Sequence, residues 1–181
     1  MSENDVHEIV PYDPAWPDAF LAERERIAAE LGDLAIRIDH HGSTAVPGLA
    51  AKPVIDIQVS VRSLQPLDAY ATRLGAIGYV HVPHPDDAFC PFFHRPAAWP
   101  HTHHVHVVES GGIEERRTLA FRDHLRHPDV ARDYEALKRR LASLHGAATF
   151  ASRQAYAAAK SAFVERITAR ALADGLPKER T

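Results

Sequence analysis

The chain has 181 residues, with 24 acidic side chains against 21 Lys or Arg and a formal charge of −3; it is the size of one domain, which needs no disulfide or structural metal to fold. Cys90 is the single cysteine, no apolar run reaches the roughly 18–20 residues of a membrane helix, and the start lacks a basic hydrophobic leader, so the expected compartment is a reducing cytoplasm. The charge balance gives no general attraction to nucleic acid, while the Lys and Arg residues of the second half leave room for a local anion site.

Residues 9–17 read as an extended segment and turn, because Pro11, Pro14 and Pro17 restrain their neighbours and remove donors. Residues 18–31 predict a helix whose apolar stripe is Phe20, Leu21, Ile27, Ala28 and Leu31, with Glu23, Arg24, Glu25 and Arg26 facing water. Pro17 suits its first turn and Gly32 its end. Alternation over residues 35–40 predicts a half-buried strand, followed by the loop 42–48 and a central strand over 53–61. In that strand Val54, Asp56, Gln58 and Ser60 share one unexpectedly polar face, and Ile55, Ile57, Val59 and Val61 the other.

A helix is predicted over 64–74, a turn over 75–78 and a strand start over 79–81. Prolines make 83–100 loop-rich around a short strand at Phe92-Phe93-His94. Residues 103–109 alternate again: His104, His106 and Val108 share a face, and Gly111-Gly112 ends the strand. Helices are expected over 113–124, 129–144 and 152–172, then a polar tail over 174–181. Four or five strands with helices at both ends predict a single α+β (mixed α/β) domain over residues 1–173.

Two glycines bracket Ser43-Thr44 after a strand, which lets backbone amides and hydroxyls approach a phosphate, with Lys52 placed to neutralise charge. The spacing matches neither the Walker loop nor the dinucleotide-binding glycine pattern, and a tight connection between elements is the alternative. Asp56 in an apolar strand is costly unless partnered, so it either anchors the loop or faces a ligand. There are 13 histidines, eight of them from His81 to His124. His104 and His106 present both rings to one side; if their strand neighbours Asp56, a two-histidine, one-carboxylate set for Zn²⁺, Fe²⁺ or Mn²⁺ results, whereas Mg²⁺ favours oxygen ligands. Core hydrogen bonding and proton transfer are the other roles open to that pair. His81, His84 and His94 have no partner spacing above a structural role. Phe92, Phe93 and the tyrosines read as core before they read as the wall of a ligand site, and Cys90 lacks the acid–base neighbour of a nucleophile.

The run His40-His41-Gly42-Ser43-Thr44-Ala45-Val46-Pro47-Gly48-Leu49-Ala50-Ala51-Lys52-Pro53-Val54-Ile55-Asp56-Ile57 closely resembles the central signature of the GrpB family. The opening Val10-Pro11-Tyr12-Asp13-Pro14 with Trp16, the strand His104 to Glu109, the stretch Leu119 to Arg126, and Tyr134, Lys138, Tyr156 and Lys160 are similar too, covering about residues 8–170. The resemblance implies a nucleotidyltransferase-like fold, and the family also occurs fused behind dephospho-coenzyme A kinase. It implies loop roles for Gly42, Ser43 and Thr44 on phosphate and for His40 in orienting that loop. Asp56 takes the first of two metal-holding carboxylate positions, and Gln58 stands at the second, where an amide cannot supply the charge of paired metals. Lys52 and Arg122 would offset developing charge at the reacting phosphate, and Lys138 and Lys160 would bring cations over it. The activity so implied is nucleotidyl transfer to or from a nucleotide or phosphorylated small metabolite, with a divalent metal (Zn, Mn, Fe or Mg) at Asp56, His104 and His106. A metal-dependent hydrolase using the same three residues, or a non-catalytic ligand-binding domain linked to coenzyme A metabolism, are the alternatives. Expected partners are a small-molecule or nucleotide substrate, with no membrane or nucleic acid and with room for a homo-oligomer.

Overall fold

Residues 8–145 and 149–178 are described by the computed structural model, so the last three residues of the expected tail lie outside the described residues. The chain runs α1 (Trp16–Leu31), β1 (Arg37–His41), β2 (Ile55–Val61), α2 (Asp68–Ala76), β3 (Val80–His81), β4 (Phe92–Arg95), β5 (His103–Glu109), α3 (Ile113–His124), α4 (Pro128–Leu144) and α5 (Phe150–Ala173). The five strands form one sheet in the order β1-β2-β5-β4-β3, mixed because β2 and β5 run parallel while the other neighbours are antiparallel. The expected mixed α/β architecture is what the chain adopts. Among the described residues no helix is long and apolar enough to cross a membrane.

Alternation along the strands gives the sheet two unlike faces. Ile57, Val59, Val105, Val107 and Phe93 point to the side covered by α1 and α2, where they close the main core with Ile27, Leu31, Tyr70 and Leu74. The opposite side carries Asp39, His41, Asp56, Gln58, Ser60, His104 and His106, and α3 to α5 lie over it. A second apolar cluster of Val46, Leu49, Leu125 and Tyr134 joins the loop after β1 to α3 and α4.

Local differences from the sequence reading have physical causes. Helix α1 starts at Trp16, with Pro17 in its first turn where a missing N–H costs nothing. Its buried stripe is Trp16, Phe20, Glu23, Ile27 and Leu31, spaced by three or four residues, whereas Leu21 is exposed. Glu23 does not face water: its carboxylate accepts bonds from Arg26, Arg95 and the Tyr79 hydroxyl. Helix α2 begins at Asp68 rather than residue 64, because the residue ahead of Pro66 is steered away from helical dihedrals. It continues through Gly75, and the turn falls at Gly78, whose φ of 90° suits glycine. β1 is shifted to Arg37–His41 by the short turn at residues 32–34 that follows α1.

Candidate functional site

The parallel register of β2 and β5 sets Asp56 opposite His104 and Gln58 opposite His106, and β1 adds His41 on the other side of Asp56. From that row the sheet opens into a cavity of about 670 Å³. Gly42, Ser43, Thr44, Lys52, Asp56, His104, Lys138 and Lys160 all line it, so residues from β2, β5, α4, α5 and the connection between β1 and β2 meet there. Two of the expected site residues are not in the lining. Arg122 is buried on α3, where its guanidinium donates to the His40 carbonyl and to Asp123 and lies 3.8 Å from Asp39. His106 sits deeper, its Nδ1 3.8 Å from Cys90 Sγ and its ring 5.0 Å from that of His41.

Gly42 explains how the loop reaches the carboxylate. Its φ of 68° is in the region that favours glycine, and a Cβ added there would lie 3.0 Å from Asp56 Cβ and closer still to Oδ2. Gly42→Ala is therefore expected to cost about 1–3 kcal/mol and to push Asp56 away from His104; chemical denaturation and the His104 ring resonances measure both, and an unchanged midpoint would contradict the contact. After Gly42 the chain makes a single turn over Ser43–Ala45. Thr44 Oγ1 gives its proton to the Val54 carbonyl at 3.3 Å, so the 3.0 Å contact with His40 Nε2 requires the ring N–H to donate. His40 thus holds the loop from the far side of the sheet, stacked on Phe20 at 4.7 Å.

A chain of imidazoles ends on Asp56. His104 Nδ1 donates to Asp56 Oδ1 at 3.2 Å, which leaves Nε2 of a neutral ring as an acceptor for His101 Nδ1 at 3.3 Å. His101 in turn stacks on His94 with ring centroids 3.7 Å apart. Burial alone would raise the Asp56 carboxyl, but the His104 hydrogen bond, ahead of lesser contributions from the neighbouring imidazoles, holds it well below the usual carboxylate range. Burial holds His41 down to about 3 and His106 to about 4, so both rings are neutral near pH 7 and the His104 bond does the holding.

The lysines differ in setting. Lys138 is 3 % exposed, donating to Ser43 Oγ at 3.1 Å and to the Ala50 carbonyl. Burial and then the nearby Lys160 charge hold it down to about 7. Lys52 and Lys160 both lie over the Tyr156 ring, at 4.0 and 4.5 Å from its centroid. Burial lowers Lys160 too. Burial, followed by acidic neighbours, pushes the Cys90 thiol up to about 12, which keeps it a poor nucleophile.

Trp99, Arg153 and Gln154 line the cavity without a sequence signal as site residues, and Arg153 sits 5.0 Å from the Trp99 ring; His101, a lesser candidate by sequence beside His104 and His106, lines it too. His94 lines it as well, although its spacing suggested only a structural role. Alternation divides the neighbouring phenylalanines: Phe92 faces the cavity and Phe93 is fully buried in the core. Gln58 and Ser60 do not extend the ligand face, since both are 0 % exposed, with Ser60 donating to the buried Glu115. The polar face opens into the cavity at its Asp56 end.

Among the described residues no group of three His, Cys, Asp or Glu side chains is gathered for an ion. His104 Nδ1 is spent on Asp56 and His106 faces Cys90. Asp56 retains oxygen lone pairs toward the cavity, which suits an oxygen-seeking cation that brings its remaining ligands with a phosphate.

The model of the family described as GrpB protein matches residues 7–170. The chain belongs to the GrpB family. It is 38% identical over 139 residues to UPF0157 protein YqkA of Bacillus subtilis, a match spanning 76% of this chain and 40% of the relative. It is 36% identical over 156 residues to a dephospho-CoA kinase of Mycolicibacterium paratuberculosis, a match spanning 72% of this chain and 38% of that protein. The GrpB chain thus spans well under half the length of either relative. The crystal structure of conserved protein GrpB from Enterococcus faecalis superposes with a TM-score of 0.81 at 32% identity, covering 92% of this chain and 98% of that one.

Proposed function

We propose that this GrpB chain binds a nucleotide or another phosphorylated small metabolite and acts on it as a nucleotidyltransferase-like enzyme. The observation that carries the reading is the convergence of Lys52, Lys138 and Lys160, from separate segments, on a cavity floored by Gly42, Ser43 and Thr44. Partly desolvated ammonium groups beside a glycine-containing loop suit a phosphate. Phe92, Trp99 and Tyr156 offer flat apolar surface to the rest of the ligand. Asp56 would hold a divalent cation such as Mg²⁺ or Mn²⁺, which would neutralise charge on the phosphoryl oxygens. Gln58 leaves transfer without a second acid on this strand, so substrate positioning by the lysines has to supply more of the rate enhancement.

The resemblance to a segment of a dephospho-CoA kinase favours a second reading, a binding domain for a ligand of coenzyme A chemistry without turnover. A hydrolase holding a metal on Asp56, His104 and His106 has less support, because His106 would have to turn from Cys90. Calorimetric titration with ATP and with dephospho-coenzyme A, each with and without Mg²⁺, tests these readings. Lys52→Ala and Lys160→Ala are each expected to weaken binding about tenfold, or ~1.4 kcal/mol. Pyrophosphate release from a nucleotide donor supports transfer, and tight binding without turnover supports the accessory role. No binding of any phosphorylated ligand sinks both.

A further inference from the structure

We propose that Ser43 is a nucleophile activated by Lys138 and steadied by Tyr134, and that the cavity cleaves carboxylic esters of anionic small molecules through an acyl group carried on Ser43. The anionic character of the substrate rests on the binding reading above; the nucleophile does not.

Three contacts carry the assignment. Ser43 Oγ is 3.1 Å from Lys138 Nζ, within reach for proton transfer. Tyr134 lies one helical turn before Lys138 on α4, with its hydroxyl close enough to interact with Ser43 and its ring centroid 4.9 Å from Lys138 Nζ. All three side chains line the cavity, and Lys138 and Tyr134 are 3 % and 6 % exposed, so the base and its partner are held by packing while the hydroxyl meets the ligand space. A lysine kept only to tie α4 to the loop would gain nothing from a cavity-facing hydroxyl; the ammonium form donates to the serine oxygen and the Ala50 carbonyl, and once it loses a proton it keeps the Ala50 bond and turns its lone pair to the serine proton.

In the first step Ser43 Oγ bonds to the ester carbon and its proton passes to Lys138 Nζ. Collapse breaks the bond to the alcohol oxygen, which takes that proton from Lys138. Water then attacks the acyl carbon and gives a proton to Lys138, the bond to Ser43 Oγ breaks, and Oγ recovers the proton. Atoms and charge balance with water as the only co-reactant. Lys52 and Lys160 face the same space and offset the negative charge of each tetrahedral intermediate.

The groups that set the protonation of Lys138 are Lys160 on α5, Glu135 and Arg139 on its own helix, and Asp56 on β2. Their balance, with burial, places the amine near 7. Treatment of the full chain with a fluorophosphonate, which traps a nucleophilic hydroxyl by displacing fluoride, tests the proposal by intact mass and peptide mapping. The expected result is one adduct on Ser43, with a rate that rises through about pH 7 and then levels. The rate should fall at least ~100-fold in Lys138→Met and about tenfold in Tyr134→Phe. Absence of a Ser43 adduct between pH 6 and 9 overturns it, as does an equal rate in a folded Lys138→Met variant. If that variant does not fold, the Tyr134→Phe rate and the wild-type pH profile decide: a flat profile with an unchanged Tyr134→Phe rate also overturns it. Ser43→Ala keeps the three lysines, so calorimetry on it separates the two readings. Ligand binding without wild-type labelling removes only the nucleophile, whereas labelling without ligand binding removes only the anion seat.

Discussion

Glu23→Ala is expected to lower folding stability by about 3–5 kcal/mol, a large fraction of the roughly 5–15 kcal/mol typical of a domain. Glu23 is 3 % exposed and its two oxygens collect the Tyr79 hydroxyl at 3.0 Å, Arg95 at 2.8 Å and Arg26 at 2.8 Å. Arg95 also reaches His103 Nδ1 at 3.2 Å, so one carboxylate ties α1 to the ends of β3, β4 and β5. Removing it strands a partly buried guanidinium and a buried hydroxyl, and the cost is mainly that of groups left without partners. The double variant Glu23→Met, Arg95→Met should recover much of the loss, because it removes both charges together. Urea denaturation of the single and double variants measures this. A single-variant loss below 1 kcal/mol would show that the cluster is not holding the sheet.

Acidification from pH 7 to 4.5 is expected to remove on the order of 3–5 kcal/mol through His41 and His106. Burial, aided by neighbouring charges, depresses these rings from 6.5 to about 3 and about 4 in the folded chain. Below 6.5 the unfolded chain therefore binds more protons than the folded one. Stability is fully present above that value and is lost as pH falls toward 4 and 3. Asp56, depressed in the fold, retains its contribution until pH drops below the ordinary carboxylate range, so it adds nothing to the loss in this window. His41→Leu should remove about half of the share carried by His41 and His106, since it deletes one of these two titrations and an Nε2 that has no partner among the described residues, while His40 and His101, also held down to about 4 by burial, still titrate in this window. Equal denaturation midpoints at pH 7 and 4.5 would remove this account.

Much of the local architecture is legible without coordinates. The alternation from His103 to Glu109 and the Gly111-Gly112 stop place β5 at its observed limits, and α3 likewise runs Ile113–His124 as its composition predicts. Both depend on neighbours a few positions away. Charge points Glu23 to water, but spacing prevails: it lies three residues from Phe20 and four from Ile27, on the buried stripe. The helical period was a usable signal there; its partners Arg95 and Tyr79 were not visible, since they lie 72 and 56 residues away. Gln58 shares its face with Asp56, yet helices over the polar side close it off, and alternation cannot say what covers a face.

The sequence by itself determined the succession of elements and the family signature around Gly42 to Asp56. These follow from dihedral preference and local hydrophobic period. Only the tertiary structure decided that Asp56 meets His104, that Lys138 and Lys160 come over Ser43, that Trp99 and His101 join them, and that Arg122 is used inside the protein instead. Strand register and helix packing are set by burial among residues far apart in the chain, and that long-range choice turns a list of polar residues into one cavity.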